Sequence, residues 1–139
     1  MESAKGVLKE HQDINILVRD LGKVVQWEVT LLSELSVRGQ LRADLIALCV
    51  QLERHFATEE AGHYLEEIGR RDPGARDELA ALQDEHPTLM ELFIQAQKAC
   101  DHSSHEAMDK LKEILRRGLH MLQHHEQRET ALVRKVFGG

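Results

Sequence analysis

A chain of 139 residues with 42% hydrophobic and 30% charged side chains is long enough for one domain around one core. Its formal charge of −6 and the lack of a basic patch argue against a nucleic-acid partner, and no apolar run reaches the ~18 residues of a membrane span. Only two prolines, 4% aromatic residues and no alternating β-branched runs closed by Asn-Gly or Asp-Gly exclude a sheet protein and leave an all-α one. Cys49 and Cys100 lack metal-type spacing and read as reduced thiols. With no basic-then-apolar leader at Met1-Glu2-Ser3-Ala4-Lys5, they make the expected location cytoplasmic. Nine histidines is the unusual count.

The spacing predicts a first helix from Ala4 to about Leu35, with His11, Ile14, Val18, Leu21, Val25, Glu28, Leu32 and Leu35 on one face. His11 falls within that seam; Glu28 is expected to reach water at the end of the bundle. Val37-Arg38-Gly39-Gln40 reads as a turn with a glycine stop. A second helix follows from Leu41 to about Gly69. On it Leu41, Leu45, Leu48 and Leu52 make an apolar line that ends in His55 and Glu59. Burying an unpaired carboxylate costs several kcal/mol, so this pair needs a partner.

Asp72-Pro73-Gly74 reads as the start of a third helix, with Asp72 as cap and Pro73 in the first turn. Its seam is Leu79, Leu82, His86, Leu89, Phe93, Ala96 and Cys100. Pro87 frees the carbonyl of Gln83 and predicts a kink beside His86, or else two helices broken near Glu85. Ser103 and Glu106 form a capping box for a fourth helix. Its seam is Met108, Leu111, Leu115, Gly118, Leu122, His125, Glu129, Leu132 and Val136. Four long amphipathic helices joined by short turns predict an up-down-up-down four-helix bundle occupying residues 1–139 as a single domain.

The seam residues that could hold a metal are His11, His55, Glu59, His86, His125 and Glu129. The halves repeat: Glu10-His11 precedes His55-x-x-x-Glu59, and Glu85-His86 precedes His125-x-x-x-Glu129. This pattern reads as a duplicated αα-hairpin that gathers four imidazoles and two carboxylates. A His and a Glu at i and i+4 lie about 40° apart around a helix and one turn apart along it, so both reach one metal or the Glu bridges two. Six N and O donors without thiolate favour iron, or manganese, over zinc. Two irons, each with two histidines and joined by two bridging carboxylates, would each have room for an oxo or hydroxo bridge and one open position for O2, NO or peroxide. His63 is the spare candidate ligand. His102 and His105 are expected in solvent, as are Glu10 and Glu85, about 100° off their seams. His120 and His124 point away from theirs. One mismatch is of level. Measured from the expected turn, His11 and His55 differ by about 10 residues, roughly 15 Å of helix rise.

A His in the first helix, His-x-x-x-Glu in the second, Glu-His in the third and His-x-x-x-Glu in the fourth resemble the hemerythrin-like, or HHE cation-binding, domain family. The resemblance runs from Leu8-Lys9-Glu10-His11 to His125-Glu126-Gln127-Arg128-Glu129 and implies a non-haem di-iron centre within a four-helix bundle. The chain departs from the oxygen-carrying hemerythrins. One turn to either side of His86 stand Leu82 and Met90 where a further histidine is expected, and the last carboxylate is Glu129 where those proteins have an aspartate. O2 or NO sensing, peroxide protection and iron handling are then the expected roles. The alternative is a metal-dependent regulatory or protein-interaction module without catalysis. A monomer and a homo-oligomer fit equally.

Overall fold

In the computed structural model, which describes residues 4–61 and 64–138, all regular structure is helical. Six α-helices follow one another: α1 (Ala4–Val24), α2 (Val29–Leu32), α3 (Leu35–Ala61), α4 (Tyr64–Arg71), α5 (Arg76–Ala99) and α6 (His105–Phe137), with a 3-10 turn, Pro73–Ala75, before α5. The four long helices pack in a ring: α1 against α3 and α6, and α5 against α3 and α6. None of the described helices is long and apolar enough to cross a membrane.

The first predicted helix is shorter than its periodicity suggested. It ends at Val24, where the backbone N–H groups of Gln26 and Trp27 turn back to the carbonyls of Lys23 and Val24 at 3.0 Å. The sequence there, Val24-Val25-Gln26-Trp27, is β-branched and aromatic, with weak helix propensity. Glu28, expected in water, is exposed at the start of α2, whereas Leu35, expected in the seam, is 78% exposed at the start of α3. The turn expected at Val37–Gln40 lies inside α3. Gly39 is solvent-exposed there, so it costs that helix only about 1 kcal/mol without ending it. The second predicted helix is also divided, into α3 and α4; residues 62 and 63 between them, including His63, lie outside the described residues.

Two caps differ from expectation. Asp72 does not cap α5 with its side chain; its carboxylate instead faces Lys135 Nζ at 3.1 Å. Ser104, not Ser103, caps α6, its Oγ accepting the Ala107 N–H at 3.1 Å. α5 runs unbroken through Pro87, so the break near Glu85 does not occur.

These ends make the duplication regular. His11 and His86 each stand 13 residues before the end of their helix, at Val24 and Ala99; His55 and His125 each stand 20 residues after the start of theirs, at Leu35 and His105. The remaining offset is about 10 Å of helix rise in each half. Even the shorter connection, Cys100–Ser104, can span that at about 3.3 Å per extended residue.

The apolar interior has two parts. The larger includes Ile14, Leu21, Leu45, Leu48, Leu52, Leu89, Phe93, Leu115 and Leu122. The smaller joins Leu65, Ile68, Leu79, Leu82, Leu132 and Val133. On α1, α5 and α6 the boundary between them falls at the seam histidine: Leu82, His86 and Leu89 on α5, for example, and Leu122, His125 to Glu129, and Leu132 on α6. A polar layer therefore separates two apolar ones.

Candidate metal centre

All six seam residues meet in that layer and all are buried, Glu59 and Glu129 to 2% exposure and His125 to 0%. Their donor atoms form two groups, His11, His55, Glu59 and Glu129 in one and Glu59, His86 and His125 in the other, each compact enough for one metal ion. Glu59 belongs to both. Its Oε1 lies 2.5 Å from His55 Nε2 and its Oε2 lies 3.1 Å from His86 Nε2. Glu129 is similarly divided: Oε1 is 3.0 Å from His11 Nε2 and 3.6 Å from His55 Nε2, and Oε2 is 3.7 Å from His125 Nε2. Two donors held at ~2.1 Å and at right angles by one cation stand ~3 Å apart, so these separations suit a shared ion.

Hydrogen bonding accounts for only part of this convergence, the contact of His11 Nε2 with Glu129 Oε1 at 3.0 Å. His55 Nε2, His86 Nε2, His125 Nε2 and Glu59 Oε1 are buried without a hydrogen-bond partner among the described residues, despite lying near opposite charge. The atoms are close but not aligned as donor and acceptor. Lone pairs converging on a common point are what a cation requires, and unpartnered buried polar groups are otherwise costly. The residues present fit a metal.

The outward nitrogens are all engaged. Glu10 on α1 holds Nδ1 of His55 on α3. Glu60 on α3 holds Nδ1 of His86 on α5 at 3.1 Å, and Glu85 on α5 holds Nδ1 of His125 on α6 at 3.0 Å. Thr130 on α6 closes the ring on Nδ1 of His11 at 2.8 Å. Each helix thus orients the imidazole of the next, leaving Nε2 to face inward. Metal-bound histidines are commonly fixed this way, by a carboxylate or other acceptor on the second nitrogen. Glu10 and Glu85 are therefore not the solvated bystanders expected from their phase. Arg128 Nη2 clamps Glu85 at 2.5 Å from both oxygens.

Electrostatics divide the histidines. Burial alone would lower the His55 imidazolium, but the Glu129 and Glu59 carboxylates outweigh it and raise its pKa to about 11. His86 is also raised against its burial, by Glu59 and Glu60. At His125 burial prevails over Glu85 and lowers the pKa. Burial would raise Glu129, yet His11 and His55 hold it well below the usual carboxylate range. Arg128 and His125 similarly hold Glu85 low against its burial.

Like Glu60 and Thr130, two further neighbours were not singled out by the sequence. Phe56 stacks on His86 with ring centroids 3.9 Å apart and planes at 5°, and its centroid lies 5.7 Å from that of His125. Glu126 is 5% exposed, and neither of its carboxylate oxygens has a hydrogen-bond partner among the described residues; burial raises its pKa to about 7. The other described histidines stand apart. His102 and His105 are exposed, as expected, and His120 and His124 form an exposed ring pair 4.7 Å apart on the outside of α6.

The fold and this layer together define a class: a helical protein whose buried His/Glu clusters could hold a metal ion. Beyond that class, neither a protein-family model, nor a curated protein, nor a solved structure matches the chain.

Proposed function

We propose that this chain is a non-haem di-iron protein of the hemerythrin-like kind, with an up-down-up-down four-helix bundle bent at Pro87, that binds O2, NO or peroxide in sensing, protection or iron and oxygen handling. The observation that carries this reading is the sharing of Glu59 and Glu129, each with one oxygen toward His55 or His11 and the other toward His86 or His125. A carboxylate divided in this way suits a bridge between two cations. Six nitrogen and oxygen donors without a thiolate suit iron, with manganese or zinc as secondary occupants.

In this reading His11 and His55 hold one iron, His86 and His125 the other, and Glu59 and Glu129 bridge them. Such a pair supplies, when bound, redox-active open positions for a diatomic or peroxide ligand. Glu10, Glu60, Glu85 and Thr130 keep each imidazole aimed inward, and Phe56 with the two apolar layers excludes water. The diagnostic is the near-ultraviolet absorption of an oxo-bridged diferric pair, with a spectral change on adding NO or peroxide. Glu59→Ala is expected to lose that absorption. A variant that kept the full spectrum would overturn the bridge.

A further inference from the structure

Glu126 sits one residue after His125 and three before Glu129 on α6, about 60° around from Glu129. It lines a groove of about 580 Å³ between α1 and α6, together with His11, Asn15, Arg19, Thr130 and Arg134. It is nineteen-twentieths buried, and among the described residues neither of its oxygens has a hydrogen-bond partner. Every other buried carboxylate among the described residues is accounted for by the metal groups. The corner it occupies is also the one that departs from the ring of outward contacts. His11 alone has a neutral hydroxyl, that of Thr130, on its Nδ1 where the other three histidines have a carboxylate. Glu126 lies one helical turn before Thr130, so a carboxylate is present at that corner but not engaged by His11 Nδ1.

We propose that Glu126 is a further carboxylate donor for the metal ion of the His11 and His55 group, reached from the groove between α1 and α6. This rests on the reading of the layer as a metal centre. In the described structure the carboxylate stands outside both compact donor groups and borders the groove beside His11, so a cation arriving along the groove meets Glu126 and His11 ahead of His55. The consequence is inequivalence. The His11 and His55 position has one more carboxylate than the His86 and His125 position and retains its ion more tightly.

The test is a titration of metal-free protein with Co2+, followed by absorption against a competing chelator, for the wild type, Glu126→Gln and Glu126→Leu. Thermal melts are recorded with and without the metal. The wild type is expected to take up two ions in distinguishable steps. The variants are expected to weaken the tighter step about ten- to hundredfold, bringing it toward the second. The metal-free variants should melt at or above the metal-free wild type, because an unpartnered buried carboxyl has been removed, while the rise on adding metal shrinks. An unchanged tight step, or metal-free and loaded melts that fall together, would overturn the proposal and leave Glu126 a packing residue. A wild type that takes up no metal would instead overturn the reading of the centre. Should Glu126→Leu fail to fold, the near-isosteric Glu126→Gln carries the comparison.

Discussion

Each seam histidine has one nitrogen that points inward and one that is held from a neighbouring helix, and the second sets the first. Glu85 shows the most complete case, accepting from His125 Nδ1 while clamped by Arg128. Glu85→Gln keeps the shape and removes the charge. It is expected to lower metal affinity about ten- to hundredfold with little change in helical content, read by chelator competition and circular dichroism. Unchanged affinity would mean the imidazole is held by packing alone. The raised pKa of His55 gives a pH dependence. A group whose folded pKa, about 11, exceeds its unfolded value of 6.5 stabilises the fold fully below 6.5 and loses that contribution as pH rises toward 11. His86 adds the same sign, while the lowered His125 acts only below 6.5. Metal-free protein is therefore expected to melt progressively lower from pH 7 to pH 10. Loading with metal near pH 7.5 should release on the order of one proton per chain, because bound imidazoles are neutral. A metal-free melt that is flat over this range would contradict the ion pairs at His55.

At the scale of the element, phase was legible and ends were not. Spacings of three and four placed His11, His55, Glu59, His86, His125 and Glu129 on inward faces, because burial repeats with the helix. The flanks were harder to read. Glu10, Glu60, Glu85 and Glu126 each adjoin a seam histidine or glutamate in sequence, and that adjacency was the available signal. One helix, however, does not reveal which neighbour closes over its flank. The end of α1 was hidden because Val25, Leu32 and the leucines beyond continue the apolar rhythm across a backbone break. Gly39 resembled a stop because a glycine's sequence does not distinguish a cap from an exposed mid-helix position. Gly118 is a different case: a Cβ there would stand 3.1 Å from Phe93 Cε1, and Phe93 is fully buried. The close approach of α6 to α5 therefore depends on a missing side chain. Gly118→Val is expected to cost about 1–3 kcal/mol in chemical denaturation; an unchanged midpoint would show that the Phe93 ring can yield.

Across the whole molecule, a metal ion held in the polar layer would make folding and metal binding one equilibrium. Two apolar layers, each with its own leucines, enclose four imidazoles and two shared carboxylates, and of their inward atoms His55 Nε2, His86 Nε2, His125 Nε2 and Glu59 Oε1 have no hydrogen-bond partner among the described residues. Cations held there would join all four long helices. The helical class and the gathering of His and Glu were readable from the chain. The sharing of Glu59 between two histidine pairs was also expected, from the His-x-x-x-Glu spacing and the count of four imidazoles to two carboxylates; the relative level of the helices was not readable, because it depends on where their ends fall. The most direct test of the account is elemental analysis of protein from iron-supplemented cells, for the wild type and for Glu59→Ala. About two irons per chain, falling to one or none in the variant, is the predicted result, since Glu59 serves both groups. A wild type that holds no metal, or a variant that keeps both irons, would contradict it.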